Sequence, residues 1–380
     1  MPRIALLAIC LMSLATTARA SLWENPDWAL LGSLNDSLAY DSNLTLLHDG
    51  PSGSYVTVNP YLTLSRQNSD TDMKVVGGAD RLEFLTGGEK SETDPYFSAS
   101  AVYPNAPNTI PVYKLNALWQ QSSQPNEFVG ERVQNDLTTL TGEGYVKLTG
   151  KLGVRGNFEF ESVKFDSEEL NDSVTGQAFA GLSYFPENTS EFSINFGSIL
   201  GQSIPNNPAR TTENVHSTEY DVTIRGAGQL TEKITGTVYG GFGEVSYTGG
   251  YTKKSSIPVA GADLTWGIDP RRTFVLAAYS GASNAPDGTA VQSTHAFLSF
   301  VDVIVSDWQF TARTGPTYTV FSRDFAERHD RSWDYDVEFA YVPSARFKVA
   351  LDLGYSRRNS NILAYQFDHE TVSLSSTYSF

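Results

Sequence analysis

Apolar and polar residues alternate with a period of two from Ser33 onward, and the helical period is almost absent. In the segment 333–341 the odd positions hold Trp, Tyr, Val, Phe and Tyr, and the even positions hold Asp, Asp, Glu and Ala. The same alternation runs through 347–355, 154–161 and 219–225. Because successive side chains of a strand point to opposite faces, the pattern predicts strands with one apolar face and one charged face.

Two architectures use such strands. A soluble antiparallel sandwich buries the apolar face in a core, whereas a transmembrane barrel turns it toward lipid and the polar face toward a wet lumen. Many predicted strands reach about 10 to 14 residues, against ~5 to 6 in ordinary sheets, which favours the barrel. Aromatic residues near strand ends also favour it, since interfacial girdles need them; they are Trp119, Tyr145, Tyr184, Phe185, Trp308, Trp333, Tyr341 and Tyr355.

Short turns and longer polar loops alternate along the chain. We predict eight short turns and nine longer loops, the longest at 121–135 and 203–217 and another at 322–331. Such a series predicts a closed, antiparallel, up-and-down transmembrane β-barrel of 18 strands, an all-β fold with both termini on the short-turn side. Fusion of one pair of strands would give 16, the second choice.

The N-terminus reads as a secretory signal. Arg3 precedes an apolar run, and Ala18-Arg19-Ala20 fits the small-x-small cleavage site. We therefore predict a signal peptide over 1–20, a short periplasmic segment over 21–32 and a barrel over 33–380. Cleavage removes Arg3 and Arg19, which takes the net charge from -16 to -18, and it removes the single cysteine. No later run approaches the ~20 apolar residues of a membrane-spanning helix.

The chain ends on a period-two strand, Thr371 to Phe380, in which Tyr378 and Phe380 share one face. This segment resembles the terminal strand by which bacterial outer-membrane barrels are recognised for insertion. The resemblance implies the outer membrane of a Gram-negative bacterium as location, and outer-membrane lipid and the barrel-assembly machinery as partners.

The sequence offers no catalytic, cofactor or metal site. Its five histidines are widely separated, whereas a zinc site needs three or four converging ligands. No G-x-S-x-G elbow or Walker-type loop occurs. Acids outnumber bases 43 to 27, which argues against a nucleic-acid partner. We therefore expect a protein that is not an enzyme.

The charged face of the strands is the remaining candidate for function. Charge facing lipid costs a few kcal/mol at the midplane, so charged residues should line the lumen, hydrate it and filter solutes. Signs are mixed, and the acidic excess predicts a modest cation preference. By alternation, the expected pore-lining residues are Arg81, Glu83, Lys114, Lys147, Arg155, Glu159, Glu161, Asp221, Arg225, Arg313, Asp334, Asp336, Glu338 and Lys348.

The opening strands carry a narrower resemblance. A strand ending in Tyr40-Asp41-Ser42-Asn43, followed by a strand with the internal Pro60, resembles the β-barrel porin family found at exopolysaccharide loci. The resemblance implies translocation of an exopolysaccharide across the outer membrane, with periplasmic and inner-membrane export components as partners. A general or substrate-selective diffusion porin for small solutes is the alternative, and a surface-adhesive or scaffolding barrel is the second alternative. Tyr55 and Tyr61 are further candidates for the inner face, where aromatic rings could contact sugars.

Overall fold

The computed structural model describes residues 22–68, 70–104, 112–126, 131–167, 170–185, 192–205, 216–248, 253–285, 289–323 and 326–380. The predicted signal peptide lies outside these residues. Among them, no helix has the length and apolar character needed to cross a membrane. A single turn of 3-10 helix, Leu363–Tyr365, is the only helical element in the described ranges.

Nineteen strands make up the described chain. Their bounds are β1 (Trp23–Glu24), β2 (Trp28–Asp41), β3 (Gly53–Gln67), β4 (Asp72–Phe84), β5 (Glu92–Tyr103), β6 (Val112–Asn126), β7 (Glu131–Lys147), β8 (Leu152–Phe165), β9 (Ser173–Tyr184), β10 (Phe192–Pro205), β11 (His216–Gln229), β12 (Ile234–Thr248), β13 (Lys253–Asp269), β14 (Arg272–Asn284), β15 (Ala290–Val305), β16 (Trp308–Arg323), β17 (Ala326–Ser344), β18 (Phe347–Ser360) and β19 (Phe367–Ser379).

Strands β2 to β19 form a closed barrel. Each pairs antiparallel with the next along the chain, and β19 returns to pair with β2 from Ser379↔Ser33 to Thr371↔Asp41. The 18-stranded prediction is confirmed, and the 16-stranded alternative is wrong.

The two chain ends meet at the closing seam. The backbone N–H of Phe380 donates to the Gly32 carbonyl at 2.8 Å, and the N–H of Gly32 donates back at 2.8 Å. A side chain at Gly32 would collide with the Phe380 ring, because an added Cβ would lie 2.4 Å from Cε2. Beyond this point β1 pairs with β2 through Trp23↔Leu30, so β1 covers the part of β2 that β19 does not reach.

Several element boundaries differ from those predicted. β2 begins at Trp28 rather than after residue 32, and β6 and β7 leave only 127–130 between them, where a loop over 121–135 was expected. Likewise β16 and β17 leave only 324–325 where 322–331 was expected. The added ends of β6, β7, β16 and β17 carry polar residues on both faces, and the start of β2 at 28–31 is apolar on both faces, so all of them lack the alternation that marks a half-apolar strand.

The outer wall is an apolar belt between two rings of aromatic side chains. Exposed large apolar residues cover it, including Leu182, Ile224 and Phe242, the last 79% exposed. One ring lies toward the short turns and holds Tyr103, Tyr113, Tyr184, Trp266, Trp308 and Tyr341; the other lies toward the longer loops and holds Tyr40, Trp119, Tyr220, Tyr318, Trp333 and Tyr335.

The spacing of the two rings fits a bilayer. Trp333 and Tyr341 are eight residues apart on β17, about 26 Å along a strand. At the ~40° tilt usual in barrels this is about 20 Å of membrane depth, close to the ~25 Å apolar band of outer-membrane barrels. Tyr145 and Phe185, expected in the girdles, instead pack on each other with ring centroids 5.5 Å apart. Tyr145 shares its face with Arg155, so the register places it inside.

The turns at the short-turn end are closed by local polar contacts. At the turn from β13 to β14, Arg272 donates to Asp269 through Nε at 2.8 Å, and the backbone N–H of Arg271 donates to the same carboxylate at 2.9 Å. The hydrogen bond from the Arg272 side chain holds the pKa of Asp269 below its usual range. Both residues lie outside the apolar belt.

Candidate functional site

The strand register divides the charged residues between the two faces of the barrel. Directly opposite residues on neighbouring strands share a face, so each face can be followed around the wall. One face carries the exposed apolar belt, and the other is crowded, with Asp221 and Ala340 almost completely buried. Twelve of the fourteen residues predicted to line the pore lie on this inner face: Lys114, Lys147, Arg155, Glu159, Glu161, Asp221, Arg225, Arg313, Asp334, Asp336, Glu338 and Lys348.

The other two, Arg81 and Glu83, lie on the outer face. Arg81 is opposite Val58 and Glu83 is opposite Val56, and Val56 is in turn opposite the exposed Leu38. The prediction of an inward orientation is therefore wrong for this pair. They lie at the loop end of β4, where Arg81 Nη2 is 2.7 Å from Glu83 Oε2, and a charged pair beyond the apolar belt is compatible with either face.

One sector of the inner wall, on β16 to β18, alternates acidic and basic groups; we call it the acid–base ladder. Arg313 is directly opposite Asp336, and its guanidinium lies 4.2 Å from the centre of the Phe297 ring. Glu338 pairs with Lys348. Asp336 and Glu338 therefore each have a basic group close by, whereas Asp352 accepts hydrogen bonds from Ser373 and Ser375.

The ladder ends toward the loops in a buried ion pair. Arg328 Nε is 2.9 Å from Asp330 Oδ2, and both side chains are less than a tenth exposed. The Arg328 guanidinium is held between the rings of Phe321, at 4.2 Å, and Tyr365, at 3.6 Å. Because Tyr365 belongs to the 3-10 turn, this contact fixes the last loop over the mouth of the barrel.

A second compensated cluster lies on β6 to β8. Glu143 accepts from Arg155 at 2.7 Å and lies 3.7 Å from Lys114. Around the wall from it, Arg225 lies over the Tyr239 ring at 5.0 Å and near the Phe179 ring at 5.8 Å. These contacts hold the basic groups against the wall.

The other predicted residues are anchored individually. Lys147 lies over the buried Phe185 ring at 5.0 Å, and Glu159 accepts from Gln177 at 2.7 Å. Glu161 and Asp221 share the inner face with them. Both occupy a wall of mixed charge that suits a hydrated lumen.

A third sector of the inner wall combines tyrosine rings with carboxylates, and the alternation of the sequence does not identify it. The inner face of β3 to β5 carries Tyr55, Tyr61, Tyr96, Asp80 and Asp94. All of these except Tyr61 line, together with the loop between β2 and β3, a cleft of about 580 Å³; we call it the loop cleft. Tyr55 and Tyr61 therefore lie on the inner face, as expected from their positions.

The sequence signal for this sector was present but weak. Asp80 and Asp94 stand in segments of mixed small and polar residues, 77–83 and 91–96, that lack the clear alternation of β17. Only the pairing of Asp80 with Asp94 across β4 and β5 fixes which face they share. Register between distant segments is not visible in one sequence.

Two loops are joined over the mouth next to the loop cleft. The backbone N–H of His48 donates to the Ala364 carbonyl at 3.2 Å, which connects the β2–β3 loop to the 3-10 turn. Asn361 fixes the turn to β17, since it accepts from the His329 N–H at 2.8 Å and donates to the Glu327 carbonyl at 2.7 Å. The opening is therefore bounded by ordered backbone on this side.

No group of metal-ligating side chains converges in the described part of the chain. His295 is 3.0 Å from Thr317 and stacks on Tyr279, and His369 is 2.9 Å from Asp41. These two histidines lie on the inner face in separate sectors.

Comparison with known proteins returns likenesses of fold only. No family model matches the chain, and no curated protein matches it either. Among solved structures, the outer membrane protein OpdK from Pseudomonas aeruginosa is 12% identical with a TM-score of 0.46, and the match covers 92% of this chain and 98% of that one. OccAB3 from Acinetobacter baumannii is 9% identical with a TM-score of 0.45, covering 92% and 99%.

A longer chain is also similar. The siderophore receptor PiuA from Acinetobacter baumannii is 8% identical with a TM-score of 0.49, and the match covers 96% of this chain and 82% of that one. Because identities and TM-scores are this low, the barrel rests on the strand pairing of this chain itself. The resemblance to the porin family at exopolysaccharide loci gains no support from any of these comparisons.

Proposed function

We propose that this protein is an outer-membrane channel through which small polar solutes diffuse. The observation that carries the proposal is the closed 18-stranded wall, apolar outside between two aromatic rings and charged inside. A barrel of 16 to 18 strands is wide enough to leave an aqueous passage between its inner side chains. The mixed charge of the lumen hydrates that passage without favouring one sign strongly, and the acidic excess gives a modest preference for cations.

Reconstitution tests the proposal directly. Purified protein in a planar lipid bilayer should give stepwise ion conductance, and liposomes that contain it should swell in isotonic small sugars. As a matched control, heat-unfolded protein from the same preparation should give neither signal. Folded barrels that leave both the bilayer current and the liposomes unchanged would contradict a diffusion channel.

Export of an exopolysaccharide is the second candidate, favoured by the three inward tyrosines on β3 and β5, whose ring faces suit pyranose rings. Periplasmic and inner-membrane export components would then be partners. Deletion of the gene separates the two functions. Loss of surface polysaccharide with unchanged uptake of small solutes supports export, whereas slowed solute entry with normal polysaccharide supports the diffusion channel.

Outer-membrane lipid and the barrel-assembly machinery are the partners that insertion requires. The Tyr378 and Phe380 rings stack at 5.9 Å beside the closing seam, so the residues proposed as the insertion signal also help to close the barrel. Phe380→Ala should therefore lower the amount of protein in the outer membrane. Refolding of the same variant into detergent separates the roles, since normal refolding with poor insertion in cells assigns the ring to recognition.

A further inference from the structure

We propose that the loop cleft is a binding subsite for a small organic cation, an ammonium or guanidinium group on a compact carbon body. The inference rests on the proposed channel function and names the class of solute that the channel retains. It depends on three independent features of the loop cleft, namely its enclosure, its aromatic surfaces and two facing carboxylates that form no ion pair.

The β2–β3 loop roofs the cleft and is itself firmly held. The Asn43 N–H donates to Asp41 Oδ1 at 2.7 Å, and its side-chain amide donates to the Leu47 carbonyl at 2.8 Å. Leu44 is 1% exposed and fills the space that Gly53 and Gly87 leave open, since a Cβ at either would lie within 2.7 Å of its Cδ1. The roof, which contributes Leu46 to the lining, therefore holds its shape without a ligand.

Two tyrosine rings form the sides of the cleft. Tyr96 lies across β4 at Gly78, where an added Cβ would be 2.7 Å from its hydroxyl and 2.6 Å from the Cβ of Tyr61. The hydroxyl donates to Asn59 Oδ1 at 3.0 Å, which fixes the ring. Tyr55 packs against Phe84 at 5.6 Å. Both rings line the cleft, and the face of a tyrosine attracts a cation within ~6 Å.

Three carboxylates line the cleft: Asp41 is 2.9 Å from His369, whereas Asp80 and Asp94 form no ion pair with any described residue. Asp80 and Asp94 are directly opposite one another on β4 and β5, and like charges in that position destabilise a sheet. Asp80 bonds to Asn59, and Asp94 accepts from the Ser123 N–H at 2.9 Å and from its hydroxyl at 2.8 Å. All three partners are neutral.

One arginine, Arg132, lines the cleft, but its guanidinium contacts groups other than Asp80 and Asp94. Arg132 lies 3.8 Å from Glu92 and over the Phe84 ring at 5.3 Å. It is also hydrogen-bonded to the Ser123 carbonyl at 2.5 Å. By contrast, Glu143, Asp330 and Glu338 each form an ion pair with a basic side chain in the other sectors. Asp80 and Asp94 thus differ from these three carboxylates in having no ion pair.

These features select a cation over a neutral solute. A sugar would satisfy hydrogen bonds but would leave two facing carboxylates uncompensated, whereas a cation offsets their repulsion and meets the ring faces as well. The cavity of about 580 Å³ holds a molecule of choline size with water around it. Such a ligand can enter and leave, because part of its hydration is retained.

Single-channel recording with a charge-matched pair of probes tests the inference. Choline and its uncharged carbon isostere differ only in charge, and each is added on the loop side of a bilayer that holds one wild-type channel. Choline should interrupt the current at about one tenth of the concentration that the isostere needs, a ratio that corresponds to ~1.4 kcal/mol. The double variant Asp80→Asn/Asp94→Asn should lose this difference. Glu159→Gln, which removes a carboxylate from another sector, should keep it.

The outcomes are distinct. Equal block by the two probes, or retention of the choline effect in the double variant, overturns the cation subsite while the channel stands. Loss of the effect in Glu159→Gln as well would assign it to the net charge of the lumen and also overturns the subsite. Block by glucose that is stronger than block by choline indicates a sugar subsite instead. Absence of any wild-type current counts against the channel itself. The migration of unheated protein on a gel confirms that each variant is folded.

Discussion

The acid–base ladder and the loop cleft are built on the same wall, yet they treat charge in opposite ways. In the ladder Asp336 is opposite Arg313, and Glu338 pairs with Lys348. In the loop cleft Asp80 faces Asp94 and the partners are neutral. The first arrangement stabilises the wall, and the second leaves charge available to a solute.

The difference follows from what each sector must do in the absence of ligand. A buried charge without a partner is costly, so Asp330 at the end of the ladder needs Arg328. Asp80 is exposed to the lumen, and water can hydrate it until a cation arrives. Buried Asp330 therefore depends on Arg328, whereas exposed Asp80 can remain without an ion pair.

The strongest way to break the ladder is to remove its buried arginine. Arg328→Met keeps the apolar stem between Phe321 and Tyr365 but leaves Asp330 buried at 3% exposure without its ion pair. We expect the free energy of unfolding in urea to fall by about 3–5 kcal/mol, measured by tryptophan fluorescence in detergent. The double variant Arg328→Met/Asp330→Asn should recover part of that loss. An equal loss in both variants would show that the ring contacts of Arg328, rather than its charge pair, carry the stability.

A smaller effect is expected when the wall beside the loop cleft is crowded. Gly78→Ala places a Cβ 2.6 Å from the Cβ of Tyr61 and 2.8 Å from the Pro60 carbonyl, so the strands must shift. We expect a loss of about 1–3 kcal/mol in unfolding free energy together with loss of the choline effect. Gly77→Ala is the matched control, because its Cβ would point outward and meet only Phe97 at 4.0 Å. A Gly78→Ala channel that still prefers choline would show that the Tyr61 and Tyr96 positions are not needed.

Tyr96→Phe separates the ring from its anchor. The ring stays, but the hydrogen bond to Asn59 Oδ1 is lost. Because lumen water can replace the hydrogen bond, we expect the free energy of unfolding to fall by only about 0.5–1 kcal/mol. The preference for choline over its isostere should be weakened but still present. Tyr96→Leu, which removes the ring as well, should weaken the choline effect further. If choline blocks the two variant channels equally, binding of the cation depends on the carboxylates alone.

The two sectors also differ in how far the sequence predicted them. Strict alternation on β17 places Asp334, Asp336 and Glu338 on one face, and the structure has them there. The strand count was equally predictable, because each crossing carries its own period-two signal between turn residues. The local sequence pattern therefore predicted the fold and most of the residues on the inner face.

The loop cleft depends on information that one sequence does not display. Arg81 and Glu83 were expected inside because they stand out as charged, but Val56 and Val58 opposite them fix the outward face. The converse error left out Asp80, whose neighbours Ala79 and Gly78 give no apolar alternation to count from. Where small residues interrupt the pattern, only the pairing between strands determines the face.

Because Arg81 lies on the outer face, it serves as the control for the smallest expected effect, which compares an inward arginine with an outward one. Arg313→Met removes the basic group between Phe297 and Asp336, which makes that part of the ladder resemble the loop cleft. In a water-filled lumen we expect the free energy of a cation relative to that of an anion to fall by an amount on the order of 0.5 kcal/mol, which corresponds to about a twofold rise in the cation-to-anion permeability ratio. The ratio is read from the reversal potential in a salt gradient. Arg81→Met removes the same charge from the outer face and should leave the ratio unchanged. If Arg81→Met shifts the reversal potential as much as Arg313→Met does, ion selectivity is set by the electric field at the loop end and not by the inner wall. The difference between the acid–base ladder and the loop cleft would then not govern which ions pass.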